Sequence, residues 1–135
     1  MLAKKYKLTR KDVNFIFRKQ KVIPGKFFSF FVWPQRPNRK YNQFWFLPPV
    51  KLTKKATLRN FIKRIVYDRI RVNDLHLKPI DWKYRKIFII FNKKTIQTLK
   101  PEIESIDKVL LKDKLIEFFE NSFKNIDKKI SSKFS

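Results

Sequence analysis

The most constraining stretch of this chain lies between residues 53 and 73. Leu58, Phe61, Ile62, Ile65, Val66 and Ile70 recur at helical spacing, while Arg59, Asn60, Lys63, Arg64, Tyr67 and Arg71 fall on the opposite side. An apolar stripe of that period must bury itself against another layer. The spacing predicts a helix from a Thr53 N-cap to about Asn73. Its polar side is unusual, because from Lys51 to Arg71 eight basic residues face a single acid, Asp68. Arg59 and Lys63 form an i, i+4 like-charge pair, which costs ~0.2–0.5 kcal/mol. Lys54 and Lys55 sit at the expected helix start, where the macrodipole disfavours cations. Local stability argues against this arrangement. A polyanion would reverse every one of these penalties.

Elsewhere the period changes. Thr9 and Asp12 resemble a capping box ahead of a short helix over residues 10–20. Pro24-Gly25 marks a turn, and Lys26–Trp33 and Tyr41–Leu47 read as strands separated by a Pro- and Asn-bearing loop. Pro48-Pro49 ends the second of these, since proline cannot donate to a ladder. Lys83–Phe91 reads as a strand with a buried end. Beyond Pro101 the apolar residues suggest one long amphipathic helix, about residues 102–126. The order of helix, strands, helix, strand and helix predicts an α+β fold. Residues 1–128 are expected to form one domain, with 129–135 frayed.

Composition narrows the function. The formal charge is +23 over 135 residues, and all of the excess lies before Pro101. From Pro101 onward seven basic and seven acidic residues cancel. A folded surface so charged points to nucleic acid first and an anionic membrane second. The chain has no cysteine, which excludes disulfides, thiolate chemistry and Cys-based zinc sites. No apolar run approaches the ~20 residues of a membrane span. The first ten residues lack the apolar core of a signal peptide, so a cytoplasmic location is expected. The single histidine, His76, reads as a surface or satisfied residue rather than a general base. Asp12, Asp68, Asp74 and Asp81 are too scattered for a two-metal nuclease.

Lys55-Ala56-Thr57-Leu58-Arg59-Asn60-Phe61-Ile62-Lys63-Arg64 resembles the signature of the bacterial ribonuclease P protein subunit: Lys-Ala, two variable residues, Arg-Asn, one residue, then Ile-Lys-Arg. Leu8-Thr9-Arg10, and Asp12 through Phe17-Arg18-Lys19, resemble that family's opening helix. Phe27–Val32 and Arg85–Phe91 resemble its first strand and the strand after the signature, and the likeness spans about residues 7–120. Phe61 replaces a third basic residue of the pattern, Gln20, Lys54 and Phe46 replace glycines, Val13 replaces an aromatic, and Pro48-Pro49 interrupt the strand before the signature.

The resemblance implies a small αβββαβα sandwich with a left-handed βαβ crossover through the basic helix. It implies the protein component of ribonuclease P, which binds a catalytic RNA and the 5′ leader of precursor tRNA. The RNA then removes the leader with Mg²⁺ held mainly by RNA, and the protein contributes no catalytic residue, metal site or small-molecule cofactor. Carried onto this chain, Lys51, Lys54, Lys55, Arg59, Asn60, Lys63 and Arg64 are expected to contact the catalytic RNA. Val13, Phe17 and Phe30 are expected to line the leader cleft, while Trp33 and Trp45 suit loop or core positions better than base stacking. A structural RNA-binding protein, such as a ribosomal protein, is the alternative that charge and size also suit. A membrane-surface role for the basic helix ranks last, because neighbouring strands can bury its apolar face.

Overall fold

The computed structural model describes residues 2–134. Its helices are α1 (Arg10–Lys19), α2 (Ala56–Val72), α3 (Lys93–Leu99), α4 (Lys108–Phe123) and α5 (Ile126–Phe134). Its strands are β1 (Val22–Pro24), β2 (Phe28–Pro34), β3 (Gln43–Phe46) and β4 (Arg85–Phe91). The strands form one sheet in the order β1-β2-β4-β3. Strands β1 and β2, and β2 and β4, pair antiparallel; β3 and β4 pair parallel. A parallel pair of neighbours needs a crossover, and α2 supplies it.

Residue parity along the strands sorts the sheet into two faces. Phe28, Phe30, Val32, Phe44, Phe46, Ile87, Ile89 and Phe91 point to one side, where Ile62, Val66 and Ile70 of α2 and Leu111, Leu115 and Phe119 of α4 close a continuous core. Phe31, Trp33, Trp45, Phe88 and Ile90 point to the other, where Leu8, Val13 and Ile16 from α1 and its approach form a smaller cluster.

Local chemistry explains the element ends. Thr9 Oγ1 accepts from the Asp12 N–H at 3.2 Å, and the Asp12 carboxylate accepts the Thr9 N–H, completing the capping box. Helix α1 ends at Gln20 with φ 55°, the left-handed position that glycine fills most readily. The Gln20 side chain holds this end by donating to the Phe17 carbonyl at 2.6 Å.

Four sequence expectations change. The helix expected over about residues 102–126 is α4 alone, which starts only at Lys108 and stops at Phe123; α3 is an additional helix before Pro101, and α5 follows from Ile126. The expected frayed tail is helical through Phe134, because Ile126 and Ile130 are buried and α5 packs beside β1. β1 is an additional strand, three residues long and too short to show a period. Helix α2 begins at Ala56 behind an N-cap at Lys55, not Thr53, whose hydroxyl accepts from the Lys55 N–H at 3.2 Å and donates to Glu104 at 2.8 Å.

Candidate nucleic-acid interface

Helix α2 buries Leu58, Ile62, Ile65, Val66, Tyr67 and Ile70. That anchoring fixes the azimuth of everything else on the helix. Lys54, Lys55, Asn60 and Arg64 are exposed, and Arg59 and Lys63 are half-buried. Lys51 is exposed in the turn before them. The seven residues expected to contact RNA therefore share the N-terminal half of α2 and its approach. A cavity of about 540 Å³ opens beside them, lined by Lys51, Lys54 and Lys100 among others. Helix α2 has no side-chain N-cap, so its first-turn N–H groups add to the positive field.

The two halves of the helix treat their charges differently. Toward the C-terminus, Arg69 pairs with Glu120 of α4 at 3.1 Å, and Arg71 lies 4.0 Å from Asp68. Toward the N-terminus, Arg59 donates to the Thr53 carbonyl at 2.9 Å, fixing the approach loop. Lys55 lies 3.9 Å from Glu104 across exposed surface, a contact of little energetic weight. Arg69 thus serves the α2–α4 seam, while Lys54, Lys55 and Arg64 remain presented outward.

Neighbouring segments enlarge the basic surface. Lys4 and Lys7 meet Lys63, Trp45 and Tyr67 around a cavity of about 300 Å³. Burial, and then the repulsion of Lys63, push the Lys7 ammonium below its ordinary pKa. Its Nζ lies 5.0 Å from the centre of the Tyr67 ring. Two ammonium groups brought this close make a site where an anion gains energy. Tyr67, expected on the polar side of α2, is buried at 2 % exposure because its hydroxyl accepts the Phe46 N–H at 2.9 Å. Burial raises its pKa, and the Phe46 hydrogen bond opposes the rise. Phe61, which stands where the signature has a basic residue, packs toward α4, and Lys108 Nζ lies 5.5 Å from its ring centre.

On the far face of the sheet, α1 covers only part of the apolar surface. Val13 is buried at 9 % exposure, while Phe17 is 50 % exposed and lies 5.4 Å from Phe31, centre to centre. Phe31 stacks on Phe88 at 5.5 Å, and Ile90, Trp33 and Trp45 are half-buried beside them. Phe17 and the half-buried Phe88, Ile90, Trp33 and Trp45 thus leave a partly exposed aromatic surface beside α1, the candidate cleft. Asp12 and Lys86 tie helix to sheet at 3.0 Å. Burial raises the Asp12 pKa, but the hydrogen bonds from Lys86 and Thr9 outweigh it and hold the carboxyl below its ordinary range.

Phe30 does not join Val13 and Phe17. It is fully buried on the opposite face, with its ring edge-to-face on Phe123 at 5.5 Å. The cleft aromatic of β2 is Phe31. Sequence reasoning could not separate them, because residues 27–32 are apolar apart from Ser29 and show no alternation to fix parity. Phe88 and Ile90 were hidden in the same way within Ile87–Phe91. Lys7 gave no signal of its own, since only the pairing of the N-terminal segment with β3 brings it to α2.

The described carboxylates do not gather into a metal site. Asp12 faces Lys86, Asp81 faces Arg85, Glu102 faces Lys114 and Glu120 faces Arg69. Among the described residues no three His, Asp or Glu side chains are placed to hold a cation together. Among those residues, no helix is long and apolar enough to cross a membrane.

Comparison with known proteins agrees with this geometry. The Ribonuclease P protein-family profile matches residues 2–122. The ribonuclease P protein of Staphylococcus aureus superposes with a TM-score of 0.62 at 18 % identity, over 96 % of this chain and 98 % of that one. The Thermotoga maritima ribonuclease P protein gives 0.58 at 28 % identity, over 82 % of this chain and 92 % of that one. A search of curated protein sequences gave no match. With a basic crossover helix, a matching sheet and a family profile spanning most of its length, the chain belongs to the Ribonuclease P protein family and is an RNA-binding protein component of ribonuclease P in tRNA processing.

Proposed function

We propose that this protein divides two RNA contacts between two parts of its surface. Lys51, Lys54, Lys55, Arg59, Asn60, Lys63 and Arg64 meet the catalytic RNA of ribonuclease P. Lys and Arg neutralise its phosphates, and Asn60 hydrogen-bonds a ribose or a base edge. The cleft lined by Val13, Phe17, Phe31 and Phe88 receives the 5′ leader of precursor tRNA, whose unpaired bases stack on the aromatic rings. Leader removal is carried by the RNA with Mg²⁺ held by RNA phosphates. The protein strengthens assembly and substrate grip.

The observation that carries this reading is the outward presentation of Lys54, Lys55 and Arg64 on the N-terminal half of α2 and its approach, while Arg69 toward the C-terminus is held by Glu120 of α4. Nothing in the fold itself requires that asymmetry. Reconstitution with the cognate catalytic RNA at low Mg²⁺ tests it. The protein should restore 5′ cleavage of precursor tRNA, and protein alone should cut nothing. Cleavage unchanged by the protein, or cutting without RNA, would refute the reading.

A further inference from the structure

The segment between α2 and β4 carries an exposed tryptophan that the fold does not need. Ile80 and Lys83 pair across a two-residue turn, with the Ile80 N–H donating to the Lys83 carbonyl at 2.8 Å and the Lys83 N–H to the Ile80 carbonyl at 3.3 Å. Both central residues have positive φ, 53° at Asp81 and 68° at Trp82. Turns of this kind favour Asp-Gly, because glycine takes the left-handed conformation without steric cost. A bulky side chain there is an outlier. Trp82 is also 94 % exposed, whereas Trp33 and Trp45 are half-buried. Local backbone energy and burial both argue for glycine at this position.

The turn is nevertheless held firmly. Arg85 Nε donates to the Ile80 carbonyl at 3.2 Å, and its Nη2 lies 3.9 Å from Asp81 Oδ2. Asn42, fully buried, ties the segment to the sheet. Its Nδ2 donates to the carbonyls of Leu75 at 2.7 Å and Lys78 at 2.6 Å, and its Oδ1 accepts the Arg85 N–H at 2.7 Å. A rigid tip presenting a bare indole is a surface for something flat. The side chains beside it in the chain, Lys78 and Lys83, are exposed cations, and Arg36 and Lys40 of the adjoining β2–β3 connection are exposed as well. Asp81, the acid of the turn, is directed to Arg85.

We propose that Trp82 is a further RNA contact of this chain, at which one unstacked base of the partner RNA lies on the indole while adjacent phosphates meet Lys78 and Lys83. Base–aromatic stacking with cations tracking the backbone is the chemistry this tip offers. It lies on a segment separate from both the N-terminal half of α2 and the α1 cleft. A net charge of +23 disfavours a second copy of the chain as the occupant.

Trp82→Gly tests this in the full-length protein with the catalytic RNA of ribonuclease P as the probe. The variant should melt no lower than the parent, because glycine suits the turn. RNA affinity should fall roughly 5- to 150-fold, the range of one lost stacked base, with the salt slope unchanged since no phosphate contact is removed. Trp82→Phe, which retains a stacking face, should recover most of the affinity. Parent-like RNA affinity in Trp82→Gly would overturn the proposal, as would RNA-free self-association that the variant abolishes. Arg59→Ala with Lys63→Ala, run in the same assay, separates the two readings. Weakening there but not in Trp82→Gly removes only the Trp82 contact, and the reverse removes only the α2 row.

Discussion

The two faces of the sheet are built from similar residues and finished to different degrees. On one side α2 and α4 cover Phe28, Phe30, Phe44, Phe46, Ile87 and Ile89 until none of the six has measurable exposure. On the other side the ten residues of α1 shield Phe31 but leave Phe88, Ile90, Trp33 and Trp45 half-open and Phe17 half-exposed. Aromatic rings on the first face hold the fold together. The same ring type on the second face is left wet at a cost in hydrophobic energy, and a partner that covers it recovers that energy. Parity within a strand, rather than residue type, decides which task a phenylalanine performs.

The largest expected effect breaks the closed face. Phe30→Ala should destabilise the protein by about 3–5 kcal/mol, read from the denaturant midpoint. A loss under about 1 kcal/mol would mean that the face is not closed.

Next comes the tie between the open face and its helix. Asp12→Ala removes charged hydrogen bonds from Lys86 and Thr9 and should cost about 1.5–3 kcal/mol. The folded pKa of Asp12 is depressed, so its contribution is complete above the unfolded value, about 3.9. That contribution disappears as pH falls through the lower folded value. Denaturant midpoints at pH 6 and pH 3 should therefore differ less in Asp12→Ala than in the parent. An equal difference would place the acid sensitivity elsewhere.

Phe17→Ala sharpens the contrast with Phe30. Stability should change by less than about 1 kcal/mol, while precursor tRNA binding weakens roughly 5- to 150-fold and mature tRNA binding does not. Equal weakening for both tRNAs would remove Phe17 from the leader cleft. The smallest effect concerns charge. Arg59→Ala with Lys63→Ala should flatten the salt dependence of RNA binding by roughly 1–2 units of slope, and an unchanged slope would move the RNA surface off α2.

What the sequence made legible follows from where period and charge are strong. Helix α2 was readable because its apolar stripe runs unbroken from Leu58 to Ile70, and its cations carry a penalty that only a partner relieves. Helix α1 was readable from its capping box. The helix expected over about residues 102–126 was drawn too long because apolar residues continue through both of its ends, and only the burial of Ile126 and Ile130 shows that the last segment packs as a helix of its own. Helical period placed Val13 and Phe17 on α1, and the family resemblance alone suggested the cleft for them, but Phe30 and Phe31 are chemically identical neighbours. Only the pairing of β2 with β4, Phe30 opposite Ile89 and Phe31 opposite Phe88, assigns them to different faces. The Trp82 turn had no sequence signal beyond Asp-Trp where Asp-Gly would be ordinary.

The outward charge on the N-terminal half of α2 is the point on which the account depends. Because the chain contains no cysteine, Asn60→Cys gives a single attachment point for a photocrosslinker on an exposed position of that row. In the assembled, active particle, irradiation should join position 60 to the catalytic RNA. An active particle in which position 60 stays unlinked and open to solvent reagents would contradict the account.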